Sequence, residues 1–152
     1  MSSIEIPSNI DATGQISGKL NNPKITIKMT TPNAAYQFLN FGAATGNLSI
    51  ENKNMTLNVA TANSKVGQST LKLTAKNVFA SLEQVLNMTS GFKSIDVKKL
   101  LDSKSLAGKI SGEFNLKRVK AIVSANGDFK TKEFSFFDQP VGDVELKALI
   151  KV

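Results

Sequence analysis

The side chains that could do chemistry in this chain are carboxylates, lysines, hydroxyls and a single tyrosine, Tyr36. His, Cys and Trp are absent. That removes His- and thiolate-based zinc sites, a Cys nucleophile, haem ligation by His and every Ser-His-Asp arrangement. Disulfides are impossible, so cysteine usage does not report the redox compartment. Asp138, Asp143 and Glu145 could face a hard cation, but no EF-hand spacing surrounds them, and Asp143 and Glu145 share the polar side of a strand pattern. There is no nucleotide loop and no G-x-S-x-G elbow. The sequence therefore reads as a non-enzyme, with no catalytic residue, metal ligand or cofactor to assign.

The chain has 152 residues and a net charge of +7, and 41% of its residues are hydrophobic. That suits one domain with a globular composition. Of the 19 basic residues only Arg118 is an arginine. Base-reading proteins lean on Arg forks and aromatic platforms, so nucleic acid is not an expected partner. Spread lysines on alternating strands read as a solvated face. Weak attraction to an anionic membrane surface is the alternative. No apolar run approaches the length of a membrane span, and the Met1-Ser-Ser-Ile-Glu-Ile-Pro7 start lacks the basic and apolar parts of a signal peptide.

The dominant signal is period-2 alternation. Ile25, Ile27 and Met29 share one face; Leu48 and Ile50 begin the next strand; Met55, Leu57 and Val59 follow the turn Asn52-Lys53-Asn54. Leu71, Leu73 and Ala75 continue the pattern, and Val144, Leu146, Ala148 and Ile150 end it, with Leu149 the one exception. Asn126-Gly127-Asp128 suits a tight hairpin turn. The expected fold is mainly β: an antiparallel meander of roughly ten short strands, curled into an open groove. Two short helices are expected near residues 77–103. One runs from Asn77 to Met88, with Val78, Phe79, Leu82, Val85 and Leu86 at helical spacing. The other runs from Ser94 to Asp102 with Ser94 as cap. Both are expected to plug an end or edge of the sheet.

Gly14-Gln-Ile-Ser-Gly-Lys-Leu-Asn21 matches Gly108-Lys-Ile-Ser-Gly-Glu-Phe-Asn115 at five of eight positions. Ile25, Ile27 and Met29 resemble Val119, Ala121 and Val123 in character, and Phe38, Phe41 and Gly46 resemble Phe134, Phe137 and Gly142. This suggests a repeat of roughly 95 residues that restarts near 106, and an elongated stack in which residues 1–152 form one segment of a longer protein. The glycine pairs suit bent strands or bulges. Asn22-Pro23 suits a strand end or edge. The sequons at Asn47, Asn54 and Asn87 are expected by chance in an Asn-rich chain.

A single meander sheet has one apolar face that something must cover, and two short helices are too few. Lipid is a natural filler, since each buried methylene is worth roughly 0.8 kcal/mol and a sixteen-carbon chain on the order of 10 kcal/mol before entropy costs. The expected groove lining is Ile25, Ile27, Met29, Leu48, Ile50, Met55, Leu57, Val59, Leu71, Leu73, Phe134, Val144, Leu146 and Ile150. Two other readings remain open. Sheet edges could bind strands of a partner, or the phenylalanines could be the ordinary core of a β-sandwich.

Several segments carry a family resemblance: Gly14-Gln-Ile-Ser-Gly-Lys-Leu-Asn-Asn-Pro-Lys24, Gly46-Asn-Leu-Ser-Ile50, Asp96-Val-Lys-Lys-Leu-Leu101 leading into Leu106–Gly112, and Gly127-Asp-Phe-Lys130 through Val144. In these the chain resembles the AsmA/TamB-like superfamily of diderm bacterial envelope proteins. The resemblance implies a repeating β-groove in the periplasm, part of an inner-membrane-anchored protein. It implies phospholipid or another acyl lipid as ligand, and outer-membrane assembly proteins as further partners. The family's anchor, its membrane contacts and any direction of transport are not carried over.

Overall fold

The computed structural model describes residues 9–36, 39–63, 66–79 and 85–151. These form one nine-stranded antiparallel sheet in simple chain order: β1 (Asp11–Lys19), β2 (Asn22–Tyr36), β3 (Leu39–Glu51), β4 (Asn54–Asn63), β5 (Gly67–Lys76), β6 (Val85–Asp96), β7 (Leu106–Val119), β8 (Ile122–Phe136) and β9 (Gln139–Lys151). One short helix, α1 (Val97–Leu101), lies between β6 and β7. Each strand pairs only with its sequence neighbours, so β1 and β9 are both edges and the sheet is not closed into a barrel. The strands run from 9 to 15 residues, longer than the alternation alone suggests. Tight turns join them where consecutive residues take positive φ, at Asn52-Lys53 (50° and 62°) and at Phe137-Asp138 (47° and 60°).

The sheet has no second layer among the described residues. The chain exposes 11067 Å², whereas a compact protein of this mass exposes about 7,500 Å². Buried apolar side chains are correspondingly few among the described residues: Ala44, Val66, Ala75, Ile95 and Ala125. Ile95, at 1% exposure, is the one large side chain among them that is fully buried. It sits where β6 bulges into α1. There the Asp96 N–H donates to the Val66 carbonyl at 2.6 Å, and Gly67 approaches so closely that a Cβ on it would stand 2.6 Å from the Ser94 carbonyl oxygen. The helix touches β7, β6 and β3, so it reaches across the ends of the strands that lie between β3 and β7. One end of the sheet is thus plugged, as expected of the helices.

The two expected helices fare differently. The second is real but shorter than read. It runs over Val97–Leu101 and is capped by Asp96, whose carboxylate accepts from the Lys99 N–H at 3.1 Å. Ser94 is not the cap; it takes positive φ in the preceding bulge and donates its N–H to Ser111 Oγ. The first helix is not formed over the described part of its span. Residues 77–79 are bend and turn, and Val85–Met88 begin β6, while 80–84 lie outside the described residues. As a strand, Leu86 and Met88 meet Ala75 and Leu73 on one side and Arg118 and Leu116 on the other. A helix there would leave β5 and β7 with unpaired edges, and ladder pairing on both flanks outweighs the local spacing.

Asn126-Gly127-Asp128 is not a turn either. It lies in the middle of β8, and the chain reverses at Lys120-Ala121. Gly127 is needed for space: a Cβ there would stand 2.6 Å from a ring carbon of Phe129 and 3.4 Å from one of Phe114. Gly112 serves likewise, since its Cβ would collide with the Asp128 carbonyl. Gly108 is the bulge glycine its motif suggests, with φ of 123° at the register shift between Ala107 and Lys109.

The register repeats after 100 residues. Asp11↔Thr30 in β1–β2 corresponds to Ser111↔Lys130 in β7–β8. Thr31↔Ala44 corresponds to Thr131↔Val144, and the bulged pair Ala34↔Gly42 to Phe134↔Gly142. The hairpins β2–β3 and β8–β9 have matching strand lengths of 15 and 13 residues. Six strands therefore make one structural period. The sequence motif at Gly14 and Gly108 sits six residues out of this register. An even offset keeps Ile16 and Ile110 on the same face of the sheet.

Candidate functional site

Directly opposed residues of adjacent strands point to the same face, so the pairing defines rows that cross the sheet. The central row runs Gly14, Ile27, Leu48, Leu57, Leu73, Met88, Leu116, Ala125, Ile150, one residue from each of the nine strands. On one side of it runs Ile16, Ile25, Ile50, Met55, Ala75, Leu86, Arg118, Val123. On the other side runs Ala12, Met29, Gly46, Val59, Leu71, Ser90, Phe114, Gly127, Ala148. Every residue read from the sequence as groove lining falls on this one face. Phe134 joins it through the β8 bulge that sets it opposite Gly142.

The other face repeats Thr, Ser, Asn and Lys. One of its rows runs Lys28, Asn47, Asn58, Lys72, Thr89, Asn115, Asn126, and only Leu149 at its end is apolar. Within β2–β5 the apolar-face residues are half-buried, while most of their polar-face neighbours are exposed. Since no second layer covers either face among the described residues, the difference comes from apolar side chains shielding one another, as on the inner side of a bent sheet. Met29 folds over Gly46, and the Phe92 and Phe129 rings approach to 6.2 Å across the gap left by Gly112. The result is an open apolar trough about 38 Å across its nine strands, walled at one end by α1. Toward the β9 edge the shielding fails: Leu146 is 54% and Ile150 55% exposed.

Polar atoms on this face are satisfied locally. Thr61 and Ser69 hydroxyls bond each other at 2.7 Å, and Thr131 Oγ1 accepts from the Val144 N–H at 3.0 Å. No buried side-chain polar atom lacks a partner among the described residues. Arg118, at the end of the trough away from α1, donates from Nε to the Lys120 carbonyl at 3.1 Å. The polar face has shallow depressions of its own, one of about 410 Å³ between Asn87, Asn115, Asn126 and Leu149.

The carboxylates do not converge. Asp143 accepts from the Glu133 N–H at 3.1 Å, and Glu145 pairs with Lys130 at 3.0 Å. No group of three or more acidic side chains that could hold a metal ion occurs among the described residues. The hydrogen bond from Lys130, and then its charge, hold the Glu145 carboxyl below its ordinary value; the same bond raises Lys130. Stability from Glu145 is present above the ordinary carboxylate pKa and is lost as pH falls through the lowered one. Stability from Lys130 is present below the ordinary lysine pKa and is lost as pH rises through the raised one. The pair is solvent-exposed and salt-screened, so both contributions are small. In a Lys130→Met variant the Glu145 titration, followed by carboxyl NMR shifts, should move back up to the ordinary range. An unmoved midpoint would show that Lys130 is not the cause.

Sequence reasoning missed Met88, Leu86, Leu116, Phe114 and Phe129 as members of the apolar face. The signal existed for β7, where Ile110, Gly112, Phe114 and Leu116 alternate with Lys109, Ser111, Glu113 and Asn115. Phe41 is half-buried, Phe38 lies outside the described residues, and Phe136 and Phe137 form an exposed edge-to-face pair at 4.6 Å beside the β8–β9 turn. Among the described residues no helix is long and apolar enough to cross a membrane. Comparison with protein-family models, curated proteins and solved structures finds no match to this chain.

Proposed function

We propose that this chain is a non-enzymatic lipid-binding segment whose apolar sheet face shields the acyl chains of a phospholipid or similar lipid. The observation that carries the reading is a face apolar in register across nine strands and left unroofed by the described residues. Contiguous exposed apolar area of this extent is a liability unless it has an occupant. Acyl chains suit it because they are apolar along their length and need no polar partner, and the trough floor offers few. An envelope setting, with transport of phospholipid or outer-membrane biogenesis as the process served, rests on the resemblance to AsmA/TamB-like proteins. The test is native mass spectrometry of protein purified without detergent. Adducts of phospholipid mass, released by organic extraction, are expected. Protein that is folded, lipid-free and unable to take up phospholipid from vesicles would overturn the reading.

A further inference from the structure

The apolar face carries a single charge. In the three rows that define it every side chain is uncharged except Arg118, which is also the one arginine among 19 basic residues. Its partners across the two ladders are Leu86 and Val123, so nothing in the packing of the face calls for a cation there. At the β7–β8 turn its Nε donates to the Lys120 carbonyl at 3.1 Å, which ties the guanidinium to the turn. The two terminal nitrogens stay available, since no carboxylate pairs with Arg118 among the described residues.

The surroundings favour an anion. Turns and strand ends on this side of the sheet, away from α1, carry Lys19, Lys53, Lys76 and Lys120. Glu51, the one carboxylate described there, is taken by Lys24 at 3.0 Å. On the α1 side the signs are mixed: Asp96 lies 3.5 Å from Lys99, and Asp102, Asp138 and Asp143 stand among the lysines. Positive charge is therefore in excess where Arg118 stands. We infer that the Arg118 guanidinium holds the phosphate of the bound lipid, with the acyl chains lying inward of it over Leu116 and Phe114. This rests on the lipid-binding reading and narrows it to acyl lipids that carry a phosphate ester, as against neutral ones. Two parallel N–H donors match two phosphate oxygens, whereas lysine ammonium groups act as hydrated point charges that raise the local attraction. Leu116 and Phe114 follow Arg118 at two-residue steps along β7, so the chains would pass from the fork directly onto apolar floor.

Vesicles holding equal amounts of phosphatidylglycerol and of the diacylglycerol with the same acyl chains test this. Delipidated protein is incubated with them and re-isolated, and its lipid is extracted and quantified by mass spectrometry. Wild-type protein should take up phosphatidylglycerol in preference to diacylglycerol by about tenfold. Arg118→Gln should lose that preference and take up diacylglycerol as before, and Arg118→Lys should recover part of it. Lys72→Gln removes the same charge from the polar face and should keep the full preference. Circular dichroism checks that the sheet survives in each variant. Equal uptake of the two lipids by wild type, a preference that survives Arg118→Gln, or equal loss of both lipids in that variant would overturn the proposal and leave the lipid-binding reading standing. Uptake of neither lipid by wild-type protein would overturn both.

Discussion

Leu57→Asp is expected to cut copurifying phospholipid by at least about tenfold while the sheet stays folded. Leu57 is the β4 member of the central row, directly opposite Leu48 and Leu73. The substitution removes apolar contact worth about 1.5–3 kcal/mol for a fully buried leucine and puts a carboxylate where an acyl chain would have to desolvate it. Leu57 is only half-buried in the protein alone, so the folding cost is smaller than in a closed core. Asn58→Asp, one residue along on the exposed polar face, should leave lipid content unchanged. Quantitative lipid extraction with circular dichroism of both variants checks this. Equal loss from both would mean that lipid adheres without regard to face.

Ile95→Ala should be the most damaging single truncation for stability. Elsewhere the sheet has little interior to disturb, but Ile95 is 1% exposed, at the junction of β5, β6 and α1. Truncating a buried isoleucine costs about 2–5 kcal/mol, which lowers Tm on the order of 10 °C in a chain of this size. Amide exchange should quicken first in α1 and the Val66–Gly67 corner. Leu149→Ala, at a residue 83% exposed, should leave Tm within about 1 °C of wild type. A similar Tm for both variants would show that the α1 end is no core.

The fold was legible where local and cross-strand demands agree. Over residues 24–29 of β2, 55–59 of β4 and 71–75 of β5 apolar and polar residues alternate without interruption, and a one-residue slip would turn every apolar side chain to the opposite face. The composition of the trough was legible for the same reason. What misled were residues whose role is set by neighbours distant in sequence. Gly127 resembles a turn glycine until the Phe129 and Phe114 rings occupy the space above it. Leu86 fits a helical stripe until Ala75 and Arg118 supply a ladder on both sides of β6. The 100-residue register was hidden because pairing and bulge positions recur with few identities. Thr31 and Thr131, Gly42 and Gly142, and Ile50 and Ile150 are among the few that coincide.

The central claim is that acyl chains lie on one face of this sheet and not the other. Photo-reactive benzoylphenylalanine placed at Leu73, on the apolar face, and separately at neighbouring Lys72, on the polar face, tests it directly. After illumination of protein loaded with radiolabelled phospholipid, label should attach to the protein substituted at position 73 and not to that substituted at 72. Label at both positions alike, or at 72 alone, would contradict the account.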